Sequence, residues 1–104
     1  MRAGWLRAVR IGHRMVHRSI DTGAPVLTVC STLSTVPQAW SEEAARTDTV
    51  LDVKQIAKWS HLLSRDVTVV RVPDAIHDVF CSRKDVREEA FAHVERWLAY
   101  ALPA

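Results

Sequence analysis

Cysteine is scarce in this chain. Cys30 and Cys81 are the only two in 104 residues, too few for a disulfide scaffold and lacking the C-x-x-C pair that zinc and redox sites use. A reduced, cytoplasmic setting is therefore the expectation. No apolar run approaches the roughly 20 residues of a spanning helix, so no transmembrane segment is expected. Internal repeats and low-complexity tracts are also missing, and a net charge of +2 is too small to imply a partner. What is present is an ordinary globular balance, 48% apolar and 25% charged, which argues against disorder. The length allows one small domain, burying roughly 60–65% of its unfolded surface.

Charge is unevenly placed. Arg2, Arg7, Arg10, Arg14 and Arg18 all precede the first acid, Asp21, so the N-terminal fifth is basic and the remainder slightly acidic. This stretch weakly resembles a transit peptide but lacks the uninterrupted apolar core of a secretory signal. It is read as part of the fold.

Helical spacing predicts a helix over residues 3–19, with Trp5, Val9, Gly12 and Val16 on one stripe and the arginines on another face. Gly23 and Pro25 break the pattern. Val26 to Cys30 then reads as a strand buried on both faces. Residues 31–47, rich in Ser and Thr, predict a long irregular connection or a short helix around Trp40 to Ala45. Asp52, with Gln55 three residues on, is a helix start; the stripe that follows is Val53, Ile56, Ala57, Ser60 and Leu63. Val67 to Val72 is the second strand, closed by Pro73. After a loop over 74–82, Ser82 is placed to cap a last helix with Asp85 at its third position. That helix carries Val86, Ala90, Val94, Trp97 or Leu98, and Ala101 on its buried side. A strand–helix–strand crossover implies two parallel strands. Two are few for a parallel sheet, which is usually covered on both faces within several strands.

In α/β folds function gathers beyond the C-terminal ends of the strands. Those loops hold Asp48 and Asp52 after the first strand, and Asp74, His77 and Asp78 after the second. An Asp after one strand and a His after its neighbour form the acid–base half of a Ser-His-Asp triad, in the chain order of α/β-hydrolases. Asp52 is claimed by the helix start, which leaves Asp48 as the acid. The plain alternatives are a solvated loop carboxylate at Asp48 and an exposed loop histidine at His77. Asp78 reads as a surface or turn residue.

Three segments carry a family resemblance. Gly23-Ala24-Pro25-Val26-Leu27-Thr28-Val29-Cys30 resembles a late strand of α/β-hydrolases. Thr47-Asp48-Thr49-Val50-Leu51-Asp52 is similar to the catalytic-acid segment of lysophospholipase-like, monoglyceride lipase-like and serine aminopeptidase-like members. Asp74-Ala75-Ile76-His77-Asp78-Val79 resembles the small-residue loop with the catalytic His, and the 29-residue separation of Asp48 and His77 suits that family. The resemblance implies that residues 1–104 form a single C-terminal portion of an α/β-hydrolase domain, about its last third, without the nucleophile half. The implied fold is α/β, a partial α/β-hydrolase fold: two parallel strands with a crossover helix, plus N- and C-terminal helices. It also implies ester or amide hydrolysis by a Ser-Asp-His triad, catalytic roles for Asp48 and His77, a small-molecule ester or lipid-like substrate, and no metal or organic cofactor. Two features depart from the family. No Gly-x-Ser-x-Gly occurs, since Gly4, Gly12 and Gly23 all lie elsewhere, and the oxyanion-hole segment is missing. The acid also lies about a dozen and a half residues beyond its strand instead of a few. Without a serine nucleophile the acyl-enzyme route is closed, so the chain alone is expected to be inactive.

Other groupings have plainer readings. His13 and His17, at i and i+4, have a metal-chelating spacing, but Arg14 stands where a metalloprotease has Glu and no third ligand is evident; solvated histidines are favoured. Cys81, four residues after His77, has no oxyanion hole and reads as a small loop residue. Trp5, Trp40, Trp59 and Trp97 read as packing residues. The arginine face of the first helix has the chemistry for anionic membranes or nucleic acid; its solvated-side reading is favoured, and no nucleic-acid partner is expected. The alternative to a broken enzyme is a small interaction domain that self-associates or completes its sheet with a partner chain.

Overall fold

The computed structural model describes residues 3–36 and 41–102. Within them the order is α1 (Ala3–His17), β1 (Val26–Ser31), α2 (Val53–Ser60), β2 (Val67–Val72) and α3 (Lys84–Ala101), with 3-10 turns at Ala44–Arg46 and Val79–Cys81. The β-branched runs that begin at Val26 and Val67 pair in parallel, from Val26 opposite Val67 to Ser31 opposite Val72. Helix α2 makes the crossover between them. The molecule is thus mixed α/β with a two-stranded parallel sheet.

Local chemistry sets most boundaries. Helix α1 stops at His17, short of the expected residue 19, because Ser19 takes a left-handed conformation (φ 68°) while its N–H bonds the Val16 carbonyl at 2.9 Å, an end that closes a helix. Gly23 supplies the positive φ of 74° in the break that follows, and its N–H is held by the Asp21 carboxylate at 2.9 Å. Asp52 caps α2 by accepting the Lys54 N–H at 2.9 Å. That helix ends at Ser60, so Leu63 falls beyond it; the buried stripe is Val53, Ala57 and Ser60. The expected capping of α3 by Ser82 does not occur. The Ser82 hydroxyl accepts the Ile76 N–H instead, and Arg83 occupies the cap position without a side-chain cap bond. Of the two alternatives for residues 31–47, the described part is mostly irregular, with a single 3-10 turn at Ala44–Arg46 at the end of the short helix expected around Trp40 to Ala45; Trp40 itself lies outside the described residues.

Val72, Ala75, Val79, Val86 and Ala90 form the core, with Val29 and Val70 packed against it. Period-two alternation puts Val29, Val70 and Val72 on the α3 side of the sheet and the buried Cys30 on the other, beside α2. The far end of α3 is looser, with Val94, Trp97 and Ala101 half-buried and Leu98 exposed.

Helix α1 is different again. None of its residues is buried; Val9, Gly12 and Val16 are half-covered, and Trp5 of the expected buried stripe is 59% exposed. It joins the body at its C-terminal end, where the His17 ring stacks on Trp59 at 3.7 Å and Ile20 N–H bonds the Leu62 carbonyl at 2.8 Å. The whole chain exposes 7718 Å², about 1,800 Å² more than a compact monomer of its mass. Its radius of gyration of 15.3 Å likewise exceeds the about 13 Å expected for its length. No described helix is long and apolar enough to cross a membrane.

Candidate active site

The two loops beyond β1 and β2 meet. Asp48 Oδ2 lies 2.9 Å from His77 Nδ1. Asp48 is 2% exposed, whereas the His77 ring is 42% exposed, so a buried carboxylate holds an imidazole that faces outward.

Asp48 reaches this position through a closure at the base of the long connection. Asp48 N–H bonds the Leu33 carbonyl at 2.9 Å and Thr35 N–H bonds the Asp48 carbonyl at 3.0 Å, a single parallel bridge between Ser34 and Asp48. Thr47 and Thr35 share a hydroxyl–hydroxyl bond of 2.8 Å. The Ser34 hydroxyl donates to the Leu51 carbonyl at 2.7 Å and accepts the Val53 N–H at 2.9 Å. The excursion between residues 35 and 47 is therefore tied off, and in space Asp48 sits just past the end of β1. A long gap in sequence is a short one in the fold.

The second carboxylate oxygen is also engaged: Oδ1 accepts the N–H groups of Val50 at 2.8 Å and Leu51 at 2.9 Å. Burial works to raise the Asp48 pKa, but the hydrogen bond from His77 and the N–H groups of Leu51 and Val50 outweigh it and hold the carboxyl below its ordinary value. Ionised at neutral pH, it can only accept. A neutral His77 must then carry its proton on Nδ1, which leaves the Nε2 lone pair free for a proton from outside. Among the described residues the only side-chain hydrogen bond of His77 is the one through Nδ1. No serine hydroxyl among the described residues contacts its Nε2.

The imidazole is presented by a bent loop. Asp74, just after Pro73, has a left-handed φ of 64° and pairs with Arg83 at 3.2 Å. Ala75 is fully buried, and the Ser82 hydroxyl holds the Ile76 N–H at 3.1 Å. These anchors on both sides of the turn leave His77 at its crest. Ser34, Thr35 and Thr47, which position the pair, gave no signal in the sequence beyond the Ser/Thr richness of the first loop, and Ser82 signalled a helix cap rather than this role.

The remaining candidates lie elsewhere. Asp52 is occupied by the α2 cap, Asp74 by Arg83, and Asp78 is an exposed residue leading into the second 3-10 turn. Hydrogen bonding to Asp78 pushes the Cys81 thiol up, and burial does the same to Cys30; neither thiol is activated as a nucleophile. The His13 and His17 rings are 6.4 Å apart, and no group of three or more metal-ligating side chains occurs among the described residues. Trp59 packs on His17, and Lys58 Nζ lies 4.7 Å from its ring centroid. Trp97 is half-buried on α3.

Compared with protein-family models, with curated proteins and with solved structures, the chain has no match.

Proposed function

We propose that the chain is the acid–histidine portion of an α/β-hydrolase-like domain, which in the assembled site hydrolyses an ester or lipid-like substrate through a serine that these 104 residues do not contain. The observation that carries this reading is the His77 Nδ1–Asp48 Oδ2 contact of 2.9 Å, with the other carboxylate oxygen fixed by two backbone N–H groups. In such a site His77 Nε2 takes the proton of the attacking hydroxyl, and Asp48 holds the tautomer and stabilises the imidazolium that forms. The reading calls on no metal or organic cofactor. Without the hydroxyl the pair has nothing to activate for acyl transfer, so the chain by itself is inactive.

The test is to read the coding DNA upstream of Met1 in all frames, join any Gly-x-Ser-x-Gly-encoding segment to this chain, and assay p-nitrophenyl ester hydrolysis. Support is a joined protein that turns over and loses activity with His77→Ala, beside an inactive 104-residue chain. No such segment upstream, or hydrolysis by the short chain that His77→Ala abolishes, contradicts the proposal.

A second reading, a small interaction domain, is favoured by the sheet edges. Each strand has one neighbour, and the β1 run Val26–Ser31 carries no charged residue that would guard its free edge, whereas β2 carries the exposed Arg71. A discrete, well-folded dimer in light scattering supports this reading; a molten or insoluble chain contradicts it.

A further inference from the structure

Helix α1 carries two unpartnered surfaces side by side. Its inner side, near His13, Val16 and His17, faces Leu51, Ile56 and Trp59 of the body across a cavity of about 230 Å³, with His17 stacked on Trp59. Around the rest of the helix, 100° steps place Arg7, Arg10 and Arg14 in one arc and Ile11, Met15 and Ala8 in the next. Ile11 and Met15 are 44% and 58% exposed. A groove of about 360 Å³ runs along the arginine arc and is lined by Leu6, Arg7, Arg10, Ile11 and Arg14. Basic and apolar groups therefore face the same free side.

We propose that α1 is a docking surface for an anionic lipid bilayer, lying in the interface with Ile11 and Met15 among the acyl chains and its arginines at the headgroups. Charge complementarity selects this occupant. The first 20 residues hold five arginines and no acid, whereas the rest of the chain has three more acids than lysines and arginines. The molecule is thus polarised so that an anionic surface attracts α1 and repels the body. A second copy fits less well, because packing two such faces together brings like-charged arginine rows into contact. Nucleic acid accounts for the arginines but leaves the exposed Ile11 and Met15 without a role. An interfacial helix uses both arcs at once. The inference does not rest on the hydrolase reading, since it involves neither Asp48 nor His77.

The test is co-sedimentation of the full chain with vesicles of equal parts phosphatidylglycerol and phosphatidylcholine, and with phosphatidylcholine alone. The proposal expects binding to the anionic vesicles, weaker by at least about tenfold on the neutral ones or with the double variant Ile11→Glu, Met15→Glu. Both substituted positions are exposed, so the thermal transition of the variant should match the wild type, which separates lost docking from lost folding. An Arg7→Gln, Arg10→Gln, Arg14→Gln variant should lose the preference for anionic lipid. Failure to bind anionic vesicles overturns the proposal. So does binding that the glutamate pair leaves intact and duplex DNA competes away, which is phosphate binding alone, or a dimer whose dissociation by Met15→Glu shows that a second copy covers the face.

Discussion

Helices α3 and α1 are similar in length, 18 and 15 residues, yet one is built into a core and the other is not. Helix α3 buries Val86 and Ala90 against β2 and the Val72–Val79 loop. Helix α1 separates its apolar and basic residues more cleanly than α3 does, and buries none of them. Amphipathic spacing shows that a face needs a cover; it does not supply one. The cover for α3 is the sheet itself. Within the described residues α1 stacks His17 on Trp59, and none of its residues is buried.

The largest expected effect falls in the built half. Asp48→Ala removes the buried carboxylate that the Val50 and Leu51 N–H groups and His77 Nδ1 share, and should cost about 3 kcal/mol in urea unfolding; a change near zero would mean that the carboxylate is not held as described. Val72→Ala opens a gap at a fully buried site and should cost about 2 kcal/mol, measured in the same way. A smaller effect is expected with acid. Because the folded protein holds Asp48 below its ordinary value, its ionised contacts stabilise the fold fully above about pH 4, and that contribution is lost as pH falls through the lowered value. Denaturation midpoints of Asp48→Asn should therefore fall less steeply than those of the wild type on the acid side, and parallel curves would contradict this. Least of all should happen in α1: Ile11→Ala should change stability by no more than about 0.5 kcal/mol. A loss equal to that of Val72→Ala would mean that α1 has a covered face after all.

Much of the frame was legible in the chain. The β-branched runs at Val26 and Val67, the break at Gly23–Pro25 and the Asp52 cap are local signals, and each has its expected effect in the structure. The meeting of Asp48 and His77 followed from parallel strands, because adjacent parallel strands bring their C-terminal loops to one rim. The tie at the base of the long loop was not legible. It depends on one isolated bridge and on bonds of the Ser34 and Thr47 hydroxyls that span 12 to 19 residues. Ser82 shows the same limit: its spacing fits a helix cap, but a tertiary partner, the Ile76 N–H, takes the hydroxyl. The exposure of α1 was equally hidden, since periodicity says nothing about whether a facing surface exists.

The pairing of Asp48 with His77 is tested most directly by nitrogen-15 NMR of the His77 ring. The geometry predicts that neutral His77 is the Nδ1–H tautomer. It also predicts that Asp48→Asn shifts it toward Nε2–H, because the amide oxygen stays with the Val50 and Leu51 N–H groups and turns NH2 toward the ring. A wild-type ring already protonated mainly on Nε2, or one that Asp48→Asn leaves unchanged, would contradict the account.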